Sequence, residues 1–431
     1  MKDRYKRIIA TCLLFTLTVA LVLHCDTISK RIEIANATGI NSITDRFLKE
    51  HFSEDNQNIQ ELIDNSGKSG DKAFLKTIAS TFGELFLIAK DLARENISVT
   101  SPEFTGRVKG IFEGLFKIDI ATMSTNPNIN GLNNTGFTSL AAKKIWTIMD
   151  YYDKDRLSSQ KVSEGIEIKK GIPYINDGTN EHMLDIYNKA DGAKKKPVII
   201  DIHGGGLMYG DKEMNRIYVS RLAEKGFVVV NVNYRICPNV LYPSQVADIM
   251  SSYKWVAENA DEYGFDLNNV FVVGDSAGGQ LAFYTSIVNT SEYLKNLYEV
   301  ENTGLNIKAL GLISGMFDMK SGLNSVLNPC ILGYEFKTSK YFPYLQPEEI
   351  IDLGTPPPAY IVTSAKDFLR SASQDLDRLL SEKGVEHRFH DWEITINRSS
   401  GHITSVAYPD FPESVTTTNE LVEFLQRYIT N

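Results

Sequence analysis

Cysteine is scarce in this chain: four residues in 431, at Cys12, Cys25, Cys237 and Cys330. Four such widely spaced thiols make no disulfide scaffold, and removal of a leader up to Cys25 would leave an odd three. Neither Cys-x-x-Cys nor His-Glu-x-x-His occurs, and the seven histidines form no evident cluster, so no zinc site is expected. Positive charge is also short. The formal net charge is −9, and basic residues form no long stripe, which excludes a nucleic-acid-binding face. No internal repeat is evident. Past the first 30 residues no uncharged apolar run is long enough to cross a bilayer. What remains is ordinary globular composition, 42% hydrophobic and 23% charged, in a chain long enough for one large domain and an accessory element.

Two glycine-rich stretches carry the chemistry. The first is Gly274-Asp275-Ser276-Ala277-Gly278-Gly279. It follows the apolar run Val270–Val273 and precedes the amphipathic run from Gln280. Strand, Gly-x-Ser-x-Gly, helix is the context of a nucleophile elbow. Only small residues fit at Gly274 and Gly278 in so sharp a turn, and Ser276 is expected at its tip, strained and exposed. The second stretch is His203-Gly204-Gly205-Gly206, which directly follows the buried-strand pattern Val198–Ile202. Consecutive glycines let backbone N–H groups approach a ligand without side-chain interference. Oxyanion stabilisation needs donors roughly 3 Å from the developing charge. A phosphate loop is the other use of such glycines, but the Lys-Ser/Thr and Gly-x-Gly-x-x-Gly patterns are missing here.

His-Gly-Gly-Gly about 70 residues before Gly-Asp-Ser-Ala-Gly-Gly resembles the hormone-sensitive-lipase-like branch of the α/β-hydrolases, which includes carboxylesterases and arylacetamide deacetylase. The strand pattern Phe227–Val232, ending in Asn233-Tyr234-Arg235, adds to the resemblance, which runs from about Val162 to the C-terminus. The family implies that the N–H groups of Gly205, Gly206 and Ala277 form the oxyanion hole, with His203 and Gly204 supporting the loop. It also implies the order Ser, Asp/Glu, His along the chain. Asp367 stands just past the strand pattern Ala359–Thr363, and His402 follows the final strand pattern Val385–Trp392 and a polar loop. Ser276, Asp367 and His402 are therefore the expected nucleophile, acid and base. The chain departs from relatives in reading Asp367-Phe368 where Asp-Pro is common. Among the competitors, Asp375 and Asp377 fall in a helical pattern and are expected to be solvated. His387 and His390 fall in a strand, where they are expected to be buried or paired.

The alternation of strand and helix patterns from Val162 predicts an α/β fold: a mostly parallel central sheet with helices on both faces. Residues 161–431 form the predicted hydrolase domain, with an aromatic-rich cap insertion at 316–351. Residues 29–160 carry apolar residues at helical spacing and are expected to be a helical N-terminal extension. Residues 1–28 combine a basic start with the uncharged run Ile8–Leu23 and are expected to be a signal peptide or membrane anchor. That predicts a secreted or membrane-anchored protein outside the cytoplasm. The expected activity is hydrolysis of short to medium acyl or aryl carboxylic esters through an acyl-enzyme, with a small-molecule ester substrate and no metal or organic cofactor. An amidase or arylformamidase shares this machinery. A hydrolase-like binding domain without catalysis is the reading from another class.

Overall fold

In the computed structural model, residues 153, 156–237, 239–320, 328–333, 336–393 and 401–430 are described. The expected leader lies outside these residues, as does all but the last few positions of the expected extension. Among the described residues no helix is long and apolar enough to cross a membrane.

The chain enters the sheet through β1 (Ile166–Pro173), β2 (Met183–Lys189) and β3 (Lys196–Ile202). Then come α1 (Arg216–Glu224), β4 (Val228–Val232), α2 (Ser244–Glu258), the short α3 (Ala260–Tyr263), β5 (Phe265–Asp275), α4 (Ala277–Thr290), α5 (Glu292–Tyr298) and β6 (Ile307–Ile313). A segment with the short helices α6 (Asn328–Leu332) and α7 (Pro347–Ile350) leads to β7 (Ala359–Ser364). The chain closes with α8 (Arg370–Glu382), β8 (His387–Trp392), α9 (Thr404–Ala407) and α10 (Pro412–Gln426). β1 starts at Ile166 rather than Val162, after Gly165 takes a left-handed turn at φ 73°.

The eight strands lie in the order β1-β2-β4-β3-β5-β6-β7-β8. β1 and β2 are antiparallel to their neighbours, and β3 through β8 are mutually parallel. Strand alternation sorts the core into two layers. Val198, Ile200, Ile202, Val228, Val230 and Val272 face one side, joined by α2, α4 and α8 through Val246, Leu281 and Leu376. Ile199, Val229, Phe271, Val273 and Tyr360 face the other, joined by α1 and α10 through Leu222 and Leu421. Burial on both faces explains why the central strands are continuous apolar runs.

The segment between β6 and β7 is more deeply built in than a simple cap. Phe317, Ile331, Leu345 and Ile350 are fully buried in the same layer as α4. Tyr341, Phe342 and Tyr344 are only partly buried against it. The aromatic stripe expected at 316–351 thus divides between core and surface.

This topology fixes where a ligand can bind. From β3 the chain moves to β4 on one side, then crosses to β5 on the other. The strand order reverses there, and the crevice lies outside the C-terminal ends of β3 and β5. The His203–Gly206 loop leaves β3 and Ser276 leaves β5 at that place.

Candidate active site

Ser276 sits between the last residue of β5 and the first of α4, with φ 52° and ψ −118°. A non-glycine residue there costs about 1–3 kcal/mol and persists only if its surroundings enforce it. They do. The Ser276 N–H donates to Ile313 O at 2.8 Å, and its carbonyl accepts from Met316 N at 2.9 Å. The glycines are required by contact as well as by conformation. A Cβ on Gly278 would lie 1.9 Å from Ile202 O, and one on Gly274 would lie 2.3 Å from Gly278 O. α4 can approach β3 and β5 only without those carbons. One expectation needs correcting: Ser276 is not openly exposed but 7% accessible.

The His203–Gly206 loop lies directly against the elbow. Gly205, Gly206 and Leu207 take positive φ in succession, at 106°, 61° and 63°. A Cβ on Gly205 would meet Tyr209 O at 2.0 Å, and one on Gly204 would meet Ser276 Cβ at 3.0 Å. His203, the expected support of the loop, packs against it. His203 is fully buried, its Nδ1 lies 2.8 Å from Gly204 O, and its ring stacks on Tyr234 at 4.3 Å. The Tyr234 hydroxyl donates to His203 O at 2.9 Å. Burial pulls the His203 imidazole down to about 4, so it is neutral at pH 7. The Tyr234-Arg235 pair after β4 therefore has divided duties: Tyr234 props the loop, while Arg235 forks onto Asp248 of α2, with Nη2–Oδ1 at 2.6 Å.

Asp367 and His402 come together although 35 positions separate them. His402 Nδ1 lies 2.8 Å from Asp367 Oδ1. Leu369 N–H donates to the same oxygen at 2.9 Å, and the Thr363 hydroxyl donates to Oδ2 at 2.9 Å. Burial alone would raise the Asp367 carboxyl. The His402 charge and hydrogen bond, the Ser314 hydroxyl and the Leu369 N–H outweigh it and hold the group below the usual carboxylate range. A carboxylate on Nδ1 fixes the tautomer that leaves Nε2 unprotonated as a base. His402 also acts electrostatically on Asp275, the residue before Ser276. The Phe368 ring packs 4.4 Å from the His402 ring and forms a wall for the imidazole.

The competing groups are engaged elsewhere. His390 Nδ1 lies 2.6 Å from Glu420 and its ring stacks on Trp392. His387 lies 2.7 Å from Val385 O and 3.2 Å from Asp377. Asp375 pairs with Arg378 at the surface. Among the described residues no group of three or more His, Cys, Asp or Glu is placed to hold a metal ion.

Sequence reasoning passed over Asp201, Asn215 and Asp275. The signal was present, since Asp201 interrupts an otherwise apolar strand and Asp275 sits inside the elbow motif. Asn215 Nδ2 donates to Asp201 Oδ2 at 2.9 Å and to Asp275 Oδ1 at 2.8 Å. Asp275 Oδ1 also accepts from Gly204 N at 3.2 Å. The three side chains link the elbow to the glycine loop from behind.

The chain is similar to known esterases. Residues 184–379 match the BD-FAE family model. Esterase LipQ of Mycobacterium tuberculosis is 30% identical over 156 residues, 36% of this chain and 36% of the relative. Versiconal hemiacetal acetate esterase of Dothistroma septosporum is 42% identical over 87 residues, 20% of this chain and 26% of the relative. The chain thus spans about a third of the length of these curated relatives. Esterase B from Lactobacillus rhamnosis superposes with a TM-score of 0.64 at 25% identity, covering 67% of this chain and 95% of that one. The same esterase has been solved with a C4-C4 SN3 tributyrin phosphonate. The chain has the α/β-hydrolase fold, and these similarities support the hormone-sensitive-lipase-like branch of it.

Proposed function

We propose that this protein is a serine hydrolase that cleaves short to medium acyl or aryl carboxylic esters. The observation that carries the reading is the Asp367–His402 pair at 2.8 Å, with Asp367 past the C-terminal end of β7 as a serine held at positive φ is past that of the parallel β5. In this reading His402 Nε2 takes the proton from Ser276 Oγ as the oxygen attacks the ester carbonyl. Asp367 stabilises the imidazolium without taking its proton. The N–H groups of Gly205, Gly206 and Ala277 hold the tetrahedral oxyanion, and loss of one such donor typically costs about 3 kcal/mol. His402 then gives its proton to the departing alcohol. Water, activated by the same imidazole, releases the acid from the acyl-enzyme. No step requires a cofactor.

The substrate class rests on the setting. The aromatic-rich, partly buried β6–β7 segment favours neutral substrates of limited length. The C4 phosphonate on Esterase B belongs to that relative, and it supports short acyl chains here. The basic start and apolar run within residues 1–28 support a location outside the cytoplasm, secreted or tethered to a membrane. The experiment is a p-nitrophenyl ester series from acetate to palmitate, run on the parent and on Ser276→Ala. The expected result is turnover that peaks at short to medium chains and vanishes in the variant. Hydrolysis confined to long-chain emulsions would replace the esterase with a lipase. Undiminished turnover by the variant would overturn the serine mechanism.

A further inference from the structure

Behind the glycine loop two carboxyl side chains are buried side by side in a place no solvent reaches. Asp201 is 0% and Asp275 1% accessible. The Asn215 side chain lies between them, and one oxygen of each acid, Asp201 Oδ1 and Asp275 Oδ2, has no hydrogen-bond partner in the protein. Buried acids this close repel strongly when both are ionised, so their neutral forms are favoured. Electrostatically, Tyr218 of α1 acts with both acids, and Tyr234 and His402 act with Asp275.

Burying a carboxyl group is costly, and the structure shows a contact that Asp275 makes and a side chain of other shape would lose. That contact is with Gly204. The Gly204 N–H donates to Asp275 Oδ1, and the loop is so close that a Cβ on Gly204 would lie 2.4 Å from Oδ2. The next two residues are the proposed oxyanion donors. Asp275 is joined by a single peptide bond to Ser276, so one side chain ties the donors to the nucleophile.

We propose that Asp275 is a positioning residue for the reaction. It holds the glycine loop in register with Ser276, and Asn215 and Asp201 hold its carboxyl in the orientation that does so. The inference rests on the proposed esterase reading. Asp275 touches no reacting atom; it acts through Gly204. Hence the acceptor oxygen matters and the negative charge does not. Asn keeps the acceptor at Oδ1, whereas Ala removes it.

The test compares Asp275→Ala and Asp275→Asn with the parent. In Asp275→Ala kcat on p-nitrophenyl acetate is expected to fall about 30-fold or more, with KM within about threefold, as for a displaced transition-state donor. Asp275→Asn is expected to recover most of that loss. Hydrogen exchange of the 203–210 segment gives a readout independent of turnover: faster in the Ala variant, as in the parent for the Asn variant. Parent-like kcat and exchange in Asp275→Ala would overturn the proposal. So would equal losses in both variants accompanied by lowered thermal stability, which would mark a purely structural residue. If the parent itself hydrolyses no ester, the esterase reading fails, while exchange in the two variants still decides the contact.

Discussion

Replacing Asp275 with Asn is expected to make the protein more stable at pH 8 and to leave its stability unchanged at low pH. Burial pushes the Asp275 carboxyl up to about 6, against the usual 3.8; hydrogen bonds from Asn215 and Gly204 offset only part of this. At pH 8 the group is ionised in both folded and unfolded chains, and the fold disfavours that ionisation. Between 3.8 and about 6, at about 1.36 kcal/mol per pH unit, the difference is about 3 kcal/mol. The sign follows from proton binding. Between those two pH values the folded chain binds more protons than the unfolded one, so stability falls as pH rises through the interval. Below 3.8 both states are neutral and the penalty is absent. Asn never carries the charge and keeps the Oδ1 acceptor. Urea unfolding at pH 8 should therefore show Asp275→Asn more stable by up to about 3 kcal/mol, or roughly 5–10 °C in Tm. The gap should close progressively from pH 6 to pH 4. A variant destabilised at pH 8, or stabilised equally at pH 8 and pH 4, would refute the reasoning.

Other expectations follow from the same geometry. Asp367→Asn puts a donor where the His402 Nδ1–H donates, and kcat should fall about 10⁴-fold in steady-state assays, as expected for a mis-set tautomer. Gly278→Ala forces a Cβ to 1.9 Å from Ile202 O; thermal melts should show a loss of more than about 3 kcal/mol or no folded protein at all. His387→Ala and His390→Ala should each keep kcat within about twofold, because both rings are engaged away from the elbow; a 100-fold loss in either would reassign the base. Phe368→Ala removes the ring beside His402 and should lower kcat by about tenfold with little change in KM, measured on p-nitrophenyl acetate.

Much of the sheet was legible because its strands are buried on both faces, so β3, β4, β5 and β7 each contain a largely apolar run. The elbow was legible because steric demands leave so little choice at Gly274 and Gly278. The order of the triad candidates then pointed to Asp367 and His402, which the fold brings together. Other features left weaker traces. α10 escaped notice because its first half reads Glu413-Ser414-Val415-Thr416-Thr417-Thr418, a poor helical pattern. Thr417 and Thr418 are nevertheless buried, since their hydroxyls donate to the carbonyls four residues back, Glu413 O and Ser414 O. The Asp201–Asn215–Asp275 link could not be read from spacing, because it joins the end of β3, the turn before α1 and the end of β5. The role of Phe368 was hidden for a similar reason: its partner lies 34 positions away in the chain.

The central claim is that Ser276 is the nucleophile of an ester hydrolase. Its most direct measurement is fluorophosphonate labelling of the full chain, followed by digestion and mass spectrometry of the adduct. The account predicts one covalent phosphonyl group, on the peptide containing Gly274–Gly279, formed with loss of ester hydrolysis and absent from Ser276→Ala. An adduct on another serine, or an esterase activity that survives complete labelling of Ser276, would contradict it.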